Sequence, residues 1–281
     1  MKIFKDTEEC ISYLKDGIKE FSFLNDIIKL KDFNSWTQKL DICESLDEFL
    51  LGTEAKLNLL NITIATGLSI NKNYDDRLFS HYRMLLNKLD LYLQKFPELK
   101  ANKKFKDKLK NIEGLNFLST LSELSLGFQM AKHDLSIKFE TKFKQLETGK
   151  NRDVDLSVYD KNDNIIHIEV YMPNKQLDVT GFFDPNQDDK HFESKIENKL
   201  SDKFGKDGIA KLNGLVLLAV NKIFFDMLHM KTVLPFFHSN YKNLIKFIPK
   251  DVDGLLIFED GFESIDSCRF EKLLLKDKNS R

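Results

Sequence analysis

The chain has 281 residues, of which 42% are hydrophobic, so it can bury a substantial core as one large domain or two ordinary ones. Its 43 Lys and Arg residues against 44 Asp and Glu residues give a formal net charge of −1 at pH 7. This balance excludes attraction to nucleic acid through a basic field over the whole molecule, so any such affinity must come from local patches. No run of about 18 apolar residues predicts a membrane span, and we expect no membrane partner.

Three cysteines stand far apart in the chain, at Cys10, Cys43 and Cys268. They are too few and too scattered for a disulfide framework or for a zinc site at the usual short spacings. The N-terminal sequence "MKIFKDTEECISYLKDG" also lacks the apolar run of a signal peptide. We therefore expect a reducing, cytoplasmic location.

The first part of the chain has a helical pattern. Apolar residues recur at spacings of three and four, as in "FSFLNDIIKL" and "HYRMLLNKLDLYLQKF". This pattern predicts an all-helical N-terminal domain over residues 1–112. The segment "KANKKFKDKLK" near its end contains six lysines and one aspartate. It is interpreted either as a solvated helix face or linker, or as a binding site for a phosphate backbone.

After residue 113 the pattern changes to a mixture of helices and strands. A helix is predicted over residues 115–134, followed by the strand "LSIKFET" and by two alternating segments, "DVDLSVYD" and "NIIHIEVYM". The "KNDN" between those two segments is typical of a hairpin turn. A further helix, the buried strand "GLVLLAV", another helix and the strand "DGLLIFED" complete an α/β domain over residues 113–281, with a mixed sheet between helices.

Two carboxylates stand on the predicted hairpin. If the turn centres on "KNDN", Asp155 and Glu169 lie nearly opposite each other and on the same face of neighbouring strands. Like charges this close are unfavourable unless a cation neutralises them. Two carboxylates with a backbone carbonyl suit Mg²⁺, which would polarise a phosphodiester and activate a bound water. The alternation assigns the following residues to the opposite, apolar face: Val154, Leu156 and Val158.

The order of these segments resembles the PD-(D/E)XK, or restriction-endonuclease-like, nuclease superfamily. The resemblance covers roughly residues 114–260 and rests on Glu123 in "LSELSLGFQMAKHDLSIKFE", Asp155 in "VDLSV" and Glu169 in "IHIEV". It implies an αβββαβ core, preceded here by the all-helical region. It also implies that Asp155, Glu169 and the carbonyl of Val170 bind Mg²⁺ or Mn²⁺, and that Glu123 assists directly or through water.

One position departs from the superfamily pattern. Where the resemblance implies a catalytic lysine, two residues after the glutamate, the chain has Tyr171. A lysine would orient the attacking water and neutralise charge on the phosphate, whereas a phenol brings no positive charge. In the downstream helix "IENKLSDKFGK", Lys203 borders the apolar stripe, so its ammonium is expected to reach the carboxylates. Lys175, on a loop, is the second candidate.

Three functions follow as hypotheses. The first is a metal-dependent nuclease that hydrolyses phosphodiester bonds of DNA, with RNA left open, through Glu123, Asp155, Glu169 and Lys203. The alternative is a catalytically inactive protein of the same fold that binds nucleic acid or assembles with proteins, as Tyr171 permits. The third, weaker hypothesis gives the helical region a role in protein contacts. Because many proteins of the superfamily act as dimers, a homodimer is among the expectations.

Other residues of the hairpin have ordinary structural explanations. Asp153 and His167 are expected at the surface of the strands, and Tyr171 serves equally well as a site residue or as cover over the sheet.

Overall fold

The computed structural model describes residues 4–38, 58–72, 77–111, 116–172, 185–205, 209, 212–225, 231–233, 248–249 and 251–276. The chain divides into two compact units. The first comprises Met1–Leu124 with Phe262–Ile265, and the second comprises Ser125–Gly261 with Asp266–Arg281. The domain boundary expected between residues 112 and 113 stays a prediction.

The first unit is helical in the residues described before position 112, as the spacing of apolar residues predicted. Its helices are α1 (Thr7–Ile18), α2 (Ser22–Ile27), α3 (Leu30–Thr37), α4 (Leu59–Lys72), α5 (Arg77–Lys95) and α6 (Lys103–Lys110), with a short 3₁₀ helix at Pro97–Lys100. Side-chain caps set where two of them begin, because Asp6 accepts from the Glu9 N–H and Asn102 from the Phe105 N–H.

Two glycines bring α1 and α4 into backbone contact. A Cβ atom at Gly17 would lie 2.1 Å from the carbonyl oxygen of Thr63, and one at Gly67 would lie 2.0 Å from that of Tyr13. Only hydrogen fits in either place, so these two residues set how closely the helices approach.

A mixed six-stranded sheet forms the second unit, which confirms the α/β class. Helix α7 (Asn116–Ala131) precedes the sheet, and α8 (Pro185–Phe204) connects its third and fourth strands. The strands are β1 (Ser136–Lys144), β2 (Asn151–Tyr159), β3 (Ile165–Tyr171), β4 (Leu215–Asn221), β5 (Ile223–Phe225), β6 (Lys231–Val233), β7 (Gly254–Glu259) and β8 (Arg269–Leu275).

The sheet has the order β1-β2-β3-β4-β7-β8, while β5 and β6 form a separate hairpin. Strands β1, β2 and β3 are antiparallel, β3, β4 and β7 are parallel, and β8 is antiparallel to β7. From α7 to β4 the elements follow in the expected order of helix, three strands, helix and strand. The restriction-endonuclease-like assignment itself stays a prediction.

Apolar cores lie on both faces of this sheet. The α7-side core contains Leu126 and Met130 of α7 with Leu156, Val158, Ile168 and Val170 of the hairpin. The α8-side core contains Ile196, Leu200 and Phe204 of α8 with Val216, Leu218 and Val220 of β4. Because helices cover both faces, the expectation of a surface position for His167 is wrong, and its side chain is 3% exposed.

The apolar face expected for β2 is wrong at one position. Leu156 and Val158 pack in the α7-side core as expected, but Val154 packs in the α8-side core. Regular alternation would keep residues 154, 156 and 158 on one face. The regularity breaks at Asp155, opposite Glu140 of β1, whose φ of 58° lies in the left-handed region. We call the pair Glu140 and Asp155 the face switch.

Two parts of the sheet region were not predicted as observed. The strand β8 and the short hairpin of β5 and β6 had no counterpart among the expected elements. The helix expected between the last two predicted strands falls on a stretch that, apart from residues 221–225, 231–233, 248–249 and 251–252, lies outside the described residues.

Candidate active site

A side-chain turn fixes the hairpin that carries both carboxylates. The Asp160 carboxylate accepts hydrogen bonds from the N–H groups of Asn162 and Asn164, so the turn forms at the predicted "KNDN". Strands β2 and β3 pair from Tyr159 opposite Ile165 to Leu156 opposite Ile168. Continuing this register by one residue puts Asp155 opposite Glu169.

Glu169 is a buried carboxylate contacted by two lysines. Its side chain is only 1% exposed, and Nζ of Lys203 lies 2.7 Å from Oε2 while Nζ of Lys199 lies 2.9 Å from Oε1. Burial, reinforced by the charge of Asp155, raises the pKa of Glu169 to about 7, although both lysines act to lower it. Glu169 is thus held in an environment that opposes its charge.

Asp155 is fixed by the backbone of the neighbouring strand. Its Oδ2 accepts a hydrogen bond from the N–H of Val170 at 2.8 Å, just past the end of the ladder at Leu156 and Ile168. A carboxylate held by a backbone donor has a defined position rather than a choice of rotamers. This hydrogen bond therefore holds the Asp155 carboxylate beside Val170, the residue that follows Glu169.

Both lysines come from the last two turns of α8. Ile196 and Leu200 bury that helix in the α8-side core, and Lys199 and Lys203 lie on the bordering stripe, one turn apart. The side chain of Lys203 is 13% exposed, with its ammonium also 3.8 Å from Oδ1 of Asp153, whereas that of Lys199 is 35% exposed. The ammonium of Lys203 lies where the helical spacing predicted it; its catalytic role stays a prediction.

Lys199 was not singled out by sequence reasoning, although a signal existed. Residues four apart on a helix project from the same side, so a stripe that brings Lys203 to a carboxylate also brings Lys199 near it. Asp153 was expected to be an ordinary surface residue of the strand. It is partly buried and lies within ion-pair distance of Lys203.

The structure places the remaining predicted residues in different surroundings. Glu123 belongs to the first unit, where its carboxylate pairs with the ammonium of Lys108. Its expected assistance to Asp155 and Glu169 stays a prediction. Tyr171 packs against the α8-side core, and burial raises its pKa to about 12, so its phenol is neutral at physiological pH. Lys175 lies outside the described residues.

The oxygen donors of the hairpin suit a hard divalent cation. Asp155 and Glu169 supply two carboxylates, and the carbonyl of Val170 supplies a neutral oxygen. Both Glu169 oxygens are buried and, within the part of the chain that the structure describes, receive no hydrogen bond of good geometry. By ligand type this donor set suits Mg²⁺ or Mn²⁺, but the ammonium groups of Lys203 and Lys199 already lie 2.7 and 2.9 Å from the two Glu169 oxygens. No group of three or more His, Cys, Asp or Glu side chains that could hold a metal occurs among the described residues.

No protein-family model, curated protein or solved structure matches this chain. Among the helices in the described ranges, none combines the length and the apolar character needed to cross a membrane.

Proposed function

We propose that the protein is a nuclease with a restriction-endonuclease-like core that hydrolyses phosphodiester bonds of DNA with the help of Mg²⁺ or Mn²⁺. RNA is the alternative substrate. One observation carries the proposal. A buried Glu169 lies on the strand next to Asp155, and the helix that follows brings the ammonium of Lys203 to within 2.7 Å of it.

The residues of the hairpin have separate roles in this reaction. Asp155, Glu169 and the carbonyl of Val170 would hold the cation, which, when bound, polarises the phosphodiester and makes water more acidic. Lys203 neutralises the charge that grows on the phosphate, as a lysine two residues after Glu169 would do. Tyr171, a neutral phenol at that position, donates a hydrogen bond at most. Lys203 thus replaces the charge absent from β3.

Cleavage of supercoiled plasmid and of single-stranded DNA tests the proposal, with Mg²⁺ or Mn²⁺ and with a chelator as the blank. We expect Asp155→Asn and Glu169→Gln each to lower the rate by about 100-fold or more, because each removes a charge that the transition state needs. Lys203→Met should cost about 10-fold or more. The matched control is Glu259→Gln, which changes a lysine-paired carboxylate elsewhere in the same unit.

Two outcomes would refute this proposal. If cleavage survives both Asp155→Asn and Glu169→Gln at the rate of Glu259→Gln, the activity comes from another site or from a contaminant. If a folded wild-type protein cleaves neither DNA substrate and also leaves single-stranded RNA intact with either cation, the nuclease proposal is refuted.

A catalytically inactive protein that binds nucleic acid or assembles with proteins is the second candidate, and two observations favour it. Tyr171 stands in place of the lysine, and Glu169 is buried with a lysine ammonium already in contact with each of its oxygens. This candidate expects binding of labelled DNA in fluorescence anisotropy that weakens as salt rises, without cleavage under any cation. Light scattering on the same sample would show whether the protein is the expected homodimer.

A further inference from the structure

We propose that Glu140 is a positioning residue whose left-handed backbone conformation directs the Asp155 carboxylate towards β3. The inference rests on the proposed function only for what Asp155 does once it is positioned.

The first observation is the backbone of Glu140. Its φ of 58° lies in a region that residues with a Cβ atom rarely adopt, in the middle of a nine-residue strand. Strand pairing continues on both sides, with Phe139 opposite Leu156 and Thr141 opposite Val154, but Glu140 and Asp155 do not pair between them. Because the register is the same on both sides, no residue has been inserted, and the distortion is confined to this pair.

The second observation is that both strands change face at this point. Phe139 of β1 and Leu156 of β2 pack with the α7-side core, whereas Phe143 of β1 and Val154 of β2 belong to the α8-side core. Residues two apart on a regular strand face the same way, so the ribbon of β1 and β2 turns over at the face switch. Asp155, between Val154 and Leu156, therefore leaves the alternation.

The third observation is where the Asp155 side chain goes instead. The register of the hairpin, continued past Leu156 and Ile168, puts Val170 opposite Val154. The N–H of Val170, however, donates to Oδ2 of Asp155 at 2.8 Å. The carboxylate thus accepts the hydrogen bond that a backbone carbonyl of β2 would otherwise accept. To reach the Val170 N–H, the Asp155 side chain must extend along the sheet towards β3. This position is the one beside Glu169.

Straightening Glu140 should undo this arrangement. With an extended residue at position 140, the pair with Asp155 can form, regular alternation returns, and the carboxylate turns onto one face of the sheet, away from the Val170 N–H. Strain held at a residue that shapes a site is a recognised use of rare backbone conformations.

Four substitutions at one position separate the backbone from the side chain. Glu140→Gly and Glu140→Asn accept the left-handed conformation, Glu140→Ala removes the carboxylate but keeps the Cβ atom that glutamate already carries, and the β-branched Glu140→Val opposes the conformation. The control is Lys138→Val, at an exposed position of β1 that pairs regularly with Ser157. The first measurement is hydrogen exchange at the Val170 amide by NMR, which needs neither substrate nor metal. The second is the rate of DNA cleavage, with kcat and KM determined separately.

We expect Glu140→Gly, Glu140→Asn, Glu140→Ala and Lys138→Val to keep the protection of the Val170 amide and to keep kcat within about threefold. Glu140→Val should exchange that amide at least about 10-fold faster and lower kcat by about 10- to 100-fold with KM little changed, as expected for a displaced reacting group. If Glu140→Val does not fold, Glu140→Thr, which is also β-branched, against Glu140→Ala makes the same comparison.

Two outcomes would overturn the inference. One is unchanged Val170 protection in folded Glu140→Val, because Asp155 would then hold its position although the left-handed conformation is opposed. The other is an equal loss in Glu140→Gly and Glu140→Ala, because the carboxylate of Glu140 would then matter and not its backbone. If the wild-type protein cleaves no DNA, the proposed function fails while the exchange measurement still decides this inference.

Discussion

The second unit contains two clusters of three charged side chains with nearly the same ion-pair distances. One cluster has a carboxylate between two ammonium groups, and the other has an ammonium group between two carboxylates. In the Glu169 cluster, Lys199 and Lys203 contact one carboxylate at 2.9 and 2.7 Å. In the Lys222 cluster, Glu259 and Glu271 contact one ammonium at 3.0 and 2.9 Å. The carboxylate of the first cluster is 1% exposed, whereas those of the second are 30% and 46% exposed.

The difference in burial gives the two clusters different energetics. Burial raises the pKa of Glu169 to about 7 even though two cations contact it. Burial lowers the pKa of Lys222, but hydrogen bonds to Glu271 and Glu259 outweigh it, so the net pKa is raised. The Lys222 cluster favours the charges it holds, as a structural ion pair does. The Glu169 cluster opposes its central charge, which is typical of a functional site.

The largest expected effect comes from removing the buried cation. Lys203→Met should lower the free energy of unfolding by about 3 kcal/mol at pH 8, because Glu169 loses its closer cation and must either keep an underpaired charge in the interior or take up a proton. Lys222→Met should cost about 1 kcal/mol or less, since water reaches its partners. Urea denaturation of both variants measures the difference. Equal losses would mean that burial does not distinguish the clusters.

The second effect is a pH dependence with a defined sign. The pKa of Glu169 is raised from the ordinary value of 4.5 to about 7, so between these values the folded state binds more protons than the unfolded state. Stability should therefore fall as pH rises through this window, by about 3 kcal/mol in total. Urea denaturation from pH 4 to pH 8, in the wild type and in Glu169→Gln, isolates this contribution. A Glu169→Gln curve parallel to that of the wild type would contradict it.

Lys199 should matter less than Lys203. Its side chain is 35% exposed, and Lys203 remains in contact with Glu169 when Lys199 is removed. We expect Lys199→Met to cost about 2 kcal/mol, between the values for a buried and for an exposed pair. Thermal unfolding of Lys199→Met and Lys203→Met, measured side by side, ranks the contributions of the two lysines to stability. A larger loss of stability in Lys199→Met than in Lys203→Met would mean that Lys199 is the main partner of Glu169.

The smallest effect belongs to the exposed end of the Lys222 cluster. Glu271→Gln should lower stability by about 0.5 kcal/mol in dilute buffer and by almost nothing in 1 M NaCl, where screening acts over about 3 Å. The loss in Lys203→Met should change little with salt, because solvent ions do not enter a buried site. Salt titration of both variants checks this contrast. If the stability lost in Lys203→Met depends on salt, the ion pair of Lys203 with Glu169 is exposed to solvent.

Much of the sheet could be predicted from the sequence because local patterns determine it. The alternation of β2 and β3 and the Asn and Asp residues of the turn fixed the register, and so the approach of Asp155 to Glu169. The helical spacing in α8 brought Lys203 to the same place. These features depend on periodicities of two and 3.6 residues, which are properties of the chain itself.

The parts that could not be predicted depend on contacts between distant segments or on rare backbone states. Val154 was assigned to the wrong face because nothing in a glutamate signals the left-handed conformation of Glu140. His167 was expected at the surface because an alternating strand does not reveal that both faces are covered. The pairing of Glu123 with Lys108 joins two helices, and neither helix's sequence indicates it.

The close approach of α1 and α4 at Gly17 and Gly67 also indicates how related sequences can be recognised. Each position excludes every side chain by the approach of a carbonyl oxygen to about 2 Å of where a Cβ atom would be. A chain that keeps this crossing of α1 and α4 must therefore carry glycine at both positions, or else shift the helices apart. A sequence without glycine at both positions therefore cannot preserve this helix crossing unchanged.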